Sequence, residues 1–208
     1  MAVITISHQL GSCGREIGKA LAQKLGLDYI DQEIVKVVAE RLGISEDTAT
    51  RMDEKTQSTA MRIISSLGLG SPLMIVPPDL PVETSVDERE YLEATQKVIE
   101  AAARSNRAVI AGHGANFALS KVPGVLNVFI YAPEEQRIAT VMQRDKIGQK
   151  EAHEQVHRSD HDRASYIKTF YHCSWQDPLR YHLLINTGQF KVDQAVELIV
   201  QANQLRSA

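Results

Sequence analysis

The sequence predicts an α/β domain in which a parallel sheet is covered by helices on both faces. Short β-branched runs alternate with longer segments whose apolar residues recur three or four apart. Parallel neighbours need crossover connections of that kind, and helices supply them. With 208 residues and a hydrophobic share of 43%, the chain suits one packed core. Residues 1–208 are therefore read as a single domain without internal repeats or low-complexity tracts.

The first strand is AVITIS, β-branched and followed at once by polar residues and glycines. A helix follows from Arg15 to Leu25, with Ile17, Leu21 and Leu25 four apart and Gly26 as its stop. LDYI reads as a short second strand, after which Asp31 is expected to cap a helix carrying Ile34, Val35, Val38 and Leu42, ended by Gly43. Further helices are expected over 45–69, and a proline-rich connection over 70–82. A helix from about 87 to 105 leads into the strand RAVIAG, and GVLNVFIYA gives the next. PEEQRIATVMQRD opens with proline and acids, as a helix N-terminus favours. HLLINTG is the last strand and KVDQAVELIVQANQL the closing helix.

Charge and cysteine content exclude several classes of function. A formal net charge of −3 argues against nucleic acid as a partner, since neutralising a phosphate backbone takes a basic excess. Cys13 and Cys173 are the two cysteines, without C-x-x-C spacing, so neither a disulfide framework nor a thiolate zinc site is indicated. No apolar run approaches the roughly 20 residues that span a bilayer, and no basic-then-apolar leader opens the chain. The expectation is a cytoplasmic protein without a membrane partner.

SHQLGSCGREIG, residues 7–18, stands between the first strand and its helix. Backbone N–H groups of such a loop, with the free donors at a helix start, can surround phosphate oxygens. Against G-x-x-x-x-G-K-[ST], Gly14 and Arg15 take the Gly-Lys places, Gln9 stands for the first glycine and Glu16 for the hydroxyl. Arginine can grip phosphate bidentately, and a carboxylate can bind magnesium directly or through water. The alternative is that Gly11 and Gly14 only make a tight turn. Cys13 reads as a small residue tolerated in that turn, in preference to an activated thiol.

Here the sequence resembles the cytidylate-kinase-like family of P-loop kinases. ITISHQLGSCGREIGKALAQKLGLDYIDQEIV is similar to the family's opening, including the G-S-x-G-R-E-I form of its loop. AGHGAN resembles the third-strand segment, PEEQRIATVMQRD the following helix with Arg137 and Arg144, and DHDRASYIKTFYHCSWQDPLRYHLLINT the D-x-x-R-x-x-Y and W-x-D-P stretches. The resemblance implies a three-layer α/β/α P-loop kinase with a five-stranded parallel sheet, a helical region at 31–105 for the nucleoside monophosphate and a short helical lid at 146–178. It implies ATP and Mg2+ as ligands, with Gly11, Ser12, Cys13, Gly14, Arg15 and Glu16 at the ATP phosphates, and Ser12 and Glu16 toward the magnesium. Asp31, Asp160 and Arg163 match acceptor and lid positions. His113 stands where these kinases carry arginine, and Lys36 lies one place from another expected arginine.

HEQVHRSDHDR, residues 153–163, also fits the zinc-protease pattern H-E-x-x-H through His153, Glu154 and His157, with His161 a turn further on. Its surroundings are polar almost all round, with Ala152, Val156 and Ala164 as small apolar contacts. That suits a solvated lid better than the sheltered helix of a protease, although such a stripe can pick up zinc or nickel. Tyr166, Tyr171 and Trp175 could stack on a base or anchor the lid, and Asp177-Pro178 reads as a turn.

The sequence thus leads to ATP-dependent phosphoryl transfer to a nucleoside monophosphate, CMP or dCMP first. Arg15, Arg158 and Arg163 are the expected catalytic cations, and Asp31, His113, Asp160 and Arg163 the acceptor-side residues. Two alternatives stay open: a nucleotide-binding regulatory protein with little turnover, and a kinase of another small metabolite. A homodimer is compatible with all three.

Overall fold

The computed structural model describes residues 2–50 and 88–207. Residues 46–50 are helical; the rest of the helices expected over 45–69, and the connection at 70–82, lie outside the described residues. In chain order the elements are β1 (Ala2–His8), α1 (Gly14–Leu25), β2 (Asp28–Ile30), α2 (Glu33–Leu42), α3 (Glu88–Arg104), β3 (Arg107–Ala111) and α4 (Ala115–Ala118). They continue with β4 (Leu126–Tyr131), α5 (Glu134–Asp145), α6 (Gln149–Tyr171), a 3-10 turn at Pro178–Arg180, β5 (Leu183–Asn186) and α7 (Val192–Ser207).

All five strands are parallel and run in the order β2-β3-β1-β4-β5. The first strand is central: Ile4 and Ile6 pair with Val109 and Ala111 on one side and with Leu126 and Val128 on the other. Chain order reverses across β1, so the crevice beyond its C-terminal end is where such sheets take their ligands.

Alternation along the strands builds two cores. Val3, Ala108 and Ile110 pack with Ile34 and Val38 of α2 and Ile99 of α3. Ile4, Ile6, Val109, Val128 and Ile130 face Ile17 and Leu21 of α1 and Val196 and Ile199 of α7. Helix, sheet and helix form three layers, as the alternating pattern predicts. Among the described residues no helix is long and apolar enough to cross a membrane.

The lid helix lies within the expected span of 146–178, where α6 runs for 23 residues, a length of about 35 Å at 1.5 Å per residue. Ala152 and Val156 are fully buried against Ile138 and Val141 of α5. Tyr166 and Ile167 enter an aromatic cluster with Phe117, Phe129, Trp175 and Tyr181. Ala164, expected to be an apolar contact, is exposed. The helix is docked toward both ends, and its outward surface, mostly polar, is solvated.

Candidate active site

The loop between β1 and α1 is fixed by close approaches that the sequence supplies with small residues. A Cβ at Gly11, where φ is +81°, would lie 2.5 Å from the Arg137 carbonyl oxygen; one at Gly14 would lie 2.3 Å from the Cβ of His8. Both distances are far inside van der Waals contact, so the loop's backbone sits directly on α5 and on the end of β1. Cys13 takes the left-handed conformation at φ 58° and ψ 23° just before α1, a conformation that costs roughly 1 kcal/mol or more in a residue with a Cβ. Burial, and then the Glu16 charge, push its thiol above the ordinary value. The thiol is therefore held protonated, in line with a turn residue.

Ser12 is fully buried, and its hydroxyl donates to the carbonyls of Gln9 (2.8 Å) and Ile130 (3.2 Å). These bonds pin the loop to the sheet, and the Ser12 side chain lines neither hollow at the end of β1. Glu16 lies on the exposed first turn of α1.

Two hollows meet at the end of β1. The loop-side hollow is lined by Gly11, Cys13, Gly14 and Glu16 together with Lys19 and Arg144. The other is lined by Ser7, Asp31, Gly112, His113 and Gly114, with Tyr166 and Trp175 behind. His8, Arg15 and Arg163 line both. Helical hydrogen bonding begins with the Ile17 amide donating to the Cys13 carbonyl at 3.0 Å. The amides of Gly14, Arg15 and Glu16 thus precede the first helical bond, as an anion site requires.

Asp31, 7% exposed, does not cap α2. Its Oδ2 lies 3.0 Å from Arg15 Nε and accepts from the Tyr29 hydroxyl at 3.1 Å, while Oδ1 lies 3.8 Å from His113 Nε2. Burial raises its carboxyl, but His113 and Arg15 outweigh burial and hold it below the ordinary range. Gly112, His113 and Gly114 all have positive φ, at 75°, 51° and 68°. That run turns the chain sharply after β3 and brings His113 over Asp31. Lys36 instead reaches toward Glu46 at 3.8 Å and lines neither hollow.

The sequence places His8 in the loop after the first strand and gives it no role; in the structure it is the last residue of β1. It forms the wall between the hollows. Its ring donates through Nδ1 to the Gln9 carbonyl at 3.3 Å, which leaves Nε2 as an acceptor. Burial first, then the Arg163 charge, lower its pKa from 6.5 to about 3. Between about pH 4 and pH 6 the unfolded chain therefore binds one more proton than the folded chain, so this residue makes stability fall with acidification by about 1.4 kcal/mol per pH unit. The His8→Gln variant is expected to lose that slope in denaturant titrations across the window. Equal slopes in the two proteins would count against a buried neutral imidazole.

The expected lid pair is arranged differently from its spacing. Asp160 bonds Arg137 of α5, Nη1 to Oδ2 at 2.9 Å, while Arg163 Nη1 donates to the His8 carbonyl at 2.6 Å. Arg163 lies over the Trp175 ring, 5.8 Å from its centre, and burial lowers its pKa to about 10, leaving it charged at neutral pH. Arg158 is exposed and lines neither hollow: five residues before Arg163, it points to a different side of the helix. Trp175 and Tyr166 are buried and serve as anchors while also bordering the hollow lined by Asp31 and His113. Asp177 caps the 3-10 turn by accepting from the Leu179 amide at 3.0 Å, the turn expected at Asp177-Pro178.

Similarity to known proteins agrees with this architecture. The chain superposes on an uncharacterized protein from Eubacterium ventriosum ATCC 27560 with TM-score 0.68 at 19% identity, covering 98% of this chain and 99% of that one. Shikimate kinase from Bacteroides thetaiotaomicron gives TM-score 0.53 at 13% identity, covering 98% of both chains. Shikimate kinase from Acinetobacter baumannii, in complex with shikimate, gives 0.50 at 14%, covering 97% and 92%. At these identities the likeness shows the fold, which is that of the P-loop kinases. No curated protein matches the chain. The cytidylate kinase-like family model matches residues 3–189, and with its sheet order and glycine loop the chain belongs to that family.

Proposed function

We propose that the protein transfers the γ-phosphoryl group of ATP to a nucleoside monophosphate, with CMP or dCMP as the first acceptors to examine. The observation that carries this reading is the shared wall: Arg15 and Arg163 line both hollows, so cations stand where a group passing between them would carry its charge. Phosphoryl transfer asks for positioning and charge compensation more than for a strong base.

The loop-side hollow fits a triphosphate, because Arg15, Lys19, Arg144 and Arg163 all line it beside the unbonded amides of α1. ATP bound there would supply the transferred group, and magnesium held on the Glu16 side would offset phosphate charge. In this reading Arg15 and the amides of residues 13–16 orient phosphate oxygens, and Glu16 takes the metal side alone. Asp31 and His113 orient the acceptor. Asp160 acts through Arg137, holding α6 against the loop. The neutral Nε2 of His8 accepts a hydrogen bond between the hollows without competing for phosphate as a cation.

A coupled assay of ADP formation with CMP, dCMP, UMP, AMP, GMP and non-nucleotide hydroxyl acceptors tests the reading. Acceptor-dependent turnover highest with CMP or dCMP is the expected result. Tight ATP binding without turnover on any acceptor would replace it by a regulatory role, and turnover confined to a non-nucleotide by a different kinase.

A further inference from the structure

Outside the two hollows, three side chains with metal-binding atoms converge where the first turn of α5 meets the first half of α6. His157 Nε2 lies 3.2 Å from Glu134 Oε1, and His153 Nε2 lies 3.8 Å from the same oxygen. The imidazoles are one helical turn apart with ring centres 4.3 Å from each other. One ligating atom from each residue lies within 4.8 Å of the other two. The side chains are 53%, 53% and 48% exposed, so water can complete a coordination sphere.

These separations suit a particular ion. Bonds of about 2.0–2.2 Å in tetrahedral geometry place neighbouring donors roughly 3.3–3.6 Å apart. The two distances to Glu134 bracket that interval, and with every pair within 4.8 Å rotamer adjustments would close the set. Two imidazoles and one carboxylate favour zinc, nickel, cobalt or copper over magnesium or calcium, which prefer all-oxygen shells. His161 is outside the set: its Nε2 lies 3.4 Å from Ser165 Oγ.

We propose that Glu134, His153 and His157 bind a divalent transition-metal cation of the zinc class, which ties α5 to α6. Ala152 and Val156, packed on Ile138 and Val141, already hold the two helices in the required register. One turn further along each helix, Arg137 and Asp160 make the buried ion pair. The metal is thus a second cross-link beside the first, and it strengthens the docking of α6 on the helix that supports the phosphate loop. A proteolytic role does not follow, since the ligands sit on an exposed face and Glu154 is itself exposed.

The test uses the untagged full chain, stripped with chelator and titrated with Co2+. A saturable 1:1 d–d absorption band, displaced by Zn2+ but not by millimolar Mg2+, is the expected result. His153→Asn and His157→Asn, both at exposed positions that bury no core contact, are each expected to weaken binding by more than the roughly 10- to 100-fold that loss of an outer-shell partner costs. Zn2+ at a hundred times Kd is expected to raise Tm by roughly 5–10 °C and to slow amide exchange over residues 149–160, with both effects absent in His157→Asn. Absence of a 1:1 band, or unchanged affinity in His157→Asn, would overturn the site. Neither readout depends on phosphoryl transfer.

Discussion

Arg15→Ala is expected to lower ATP-dependent transfer by roughly 10²- to 10³-fold, the loss typical of removing one preorganised donor from developing charge. Geometry supports an effect on rate with little effect on folding. The Arg15 side chain is 49% exposed, so truncation opens no sealed cavity. Asp31 loses one partner but keeps the Tyr29 hydroxyl at 3.1 Å and His113 beside it. Arg15→Lys should fall between the two, because lysine keeps the charge but not the planar fork. The comparison is kcat/KM from coupled assays, alongside thermal melts of each variant. Wild-type turnover in Arg15→Ala would remove this residue from the proposed role.

Arg137→Ala carries the largest expected loss of stability. The residue is 4% exposed, its Nη1 holds Asp160, and its main chain lies against Gly11. Removing one partner of a buried pair strands the other, at a cost of about 3–5 kcal/mol. The lower end applies, since 22% of the Asp160 side chain reaches solvent and the carboxylate is partly relieved by water. Burial already raises the Asp160 carboxyl against the opposing pull of Arg137. Without that pull it should take up a proton more readily. The double variant Arg137→Ala/Asp160→Asn is expected to recover part of the loss in denaturant titrations. Additive single losses would show that the two side chains do not act as a pair.

Much of this architecture was legible in the sequence, for identifiable reasons. The central strands are short runs rich in β-branched residues, and each helix packed on the sheet carries apolar residues three or four apart, so pattern located them. Gly26 and Gly43 marked the ends of α1 and α2, where both adopt positive φ. The lid helix and its contacts at Ala152 and Val156 were legible, but the rest of its inward face was not, because charge interrupts it. Asp160 and Arg163 continue the line set by Ala152 and Val156, but both turn inward, one to Arg137 and the other to His8. Hydropathy cannot tell an inward charge with a partner from a solvated one. His8 was invisible for the opposite reason: a strand-end histidine gives no pattern, and its importance arises from tertiary neighbours. Ser12 had the chemistry of a metal ligand, but whether its hydroxyl faces the loop or the sheet depends on carbonyls more than a hundred residues away in the chain.

The 2.3 Å approach that a Cβ at position 14 would make to His8 ties the choice of residue at one site to the choice at the other. Any side chain at 14 demands that position 8 retreat, and a smaller residue at 8 opens room that the bare backbone at 14 does not fill. Randomising both codons together and selecting for function should therefore return correlated pairs, with Gly14 kept wherever position 8 carries a Cβ.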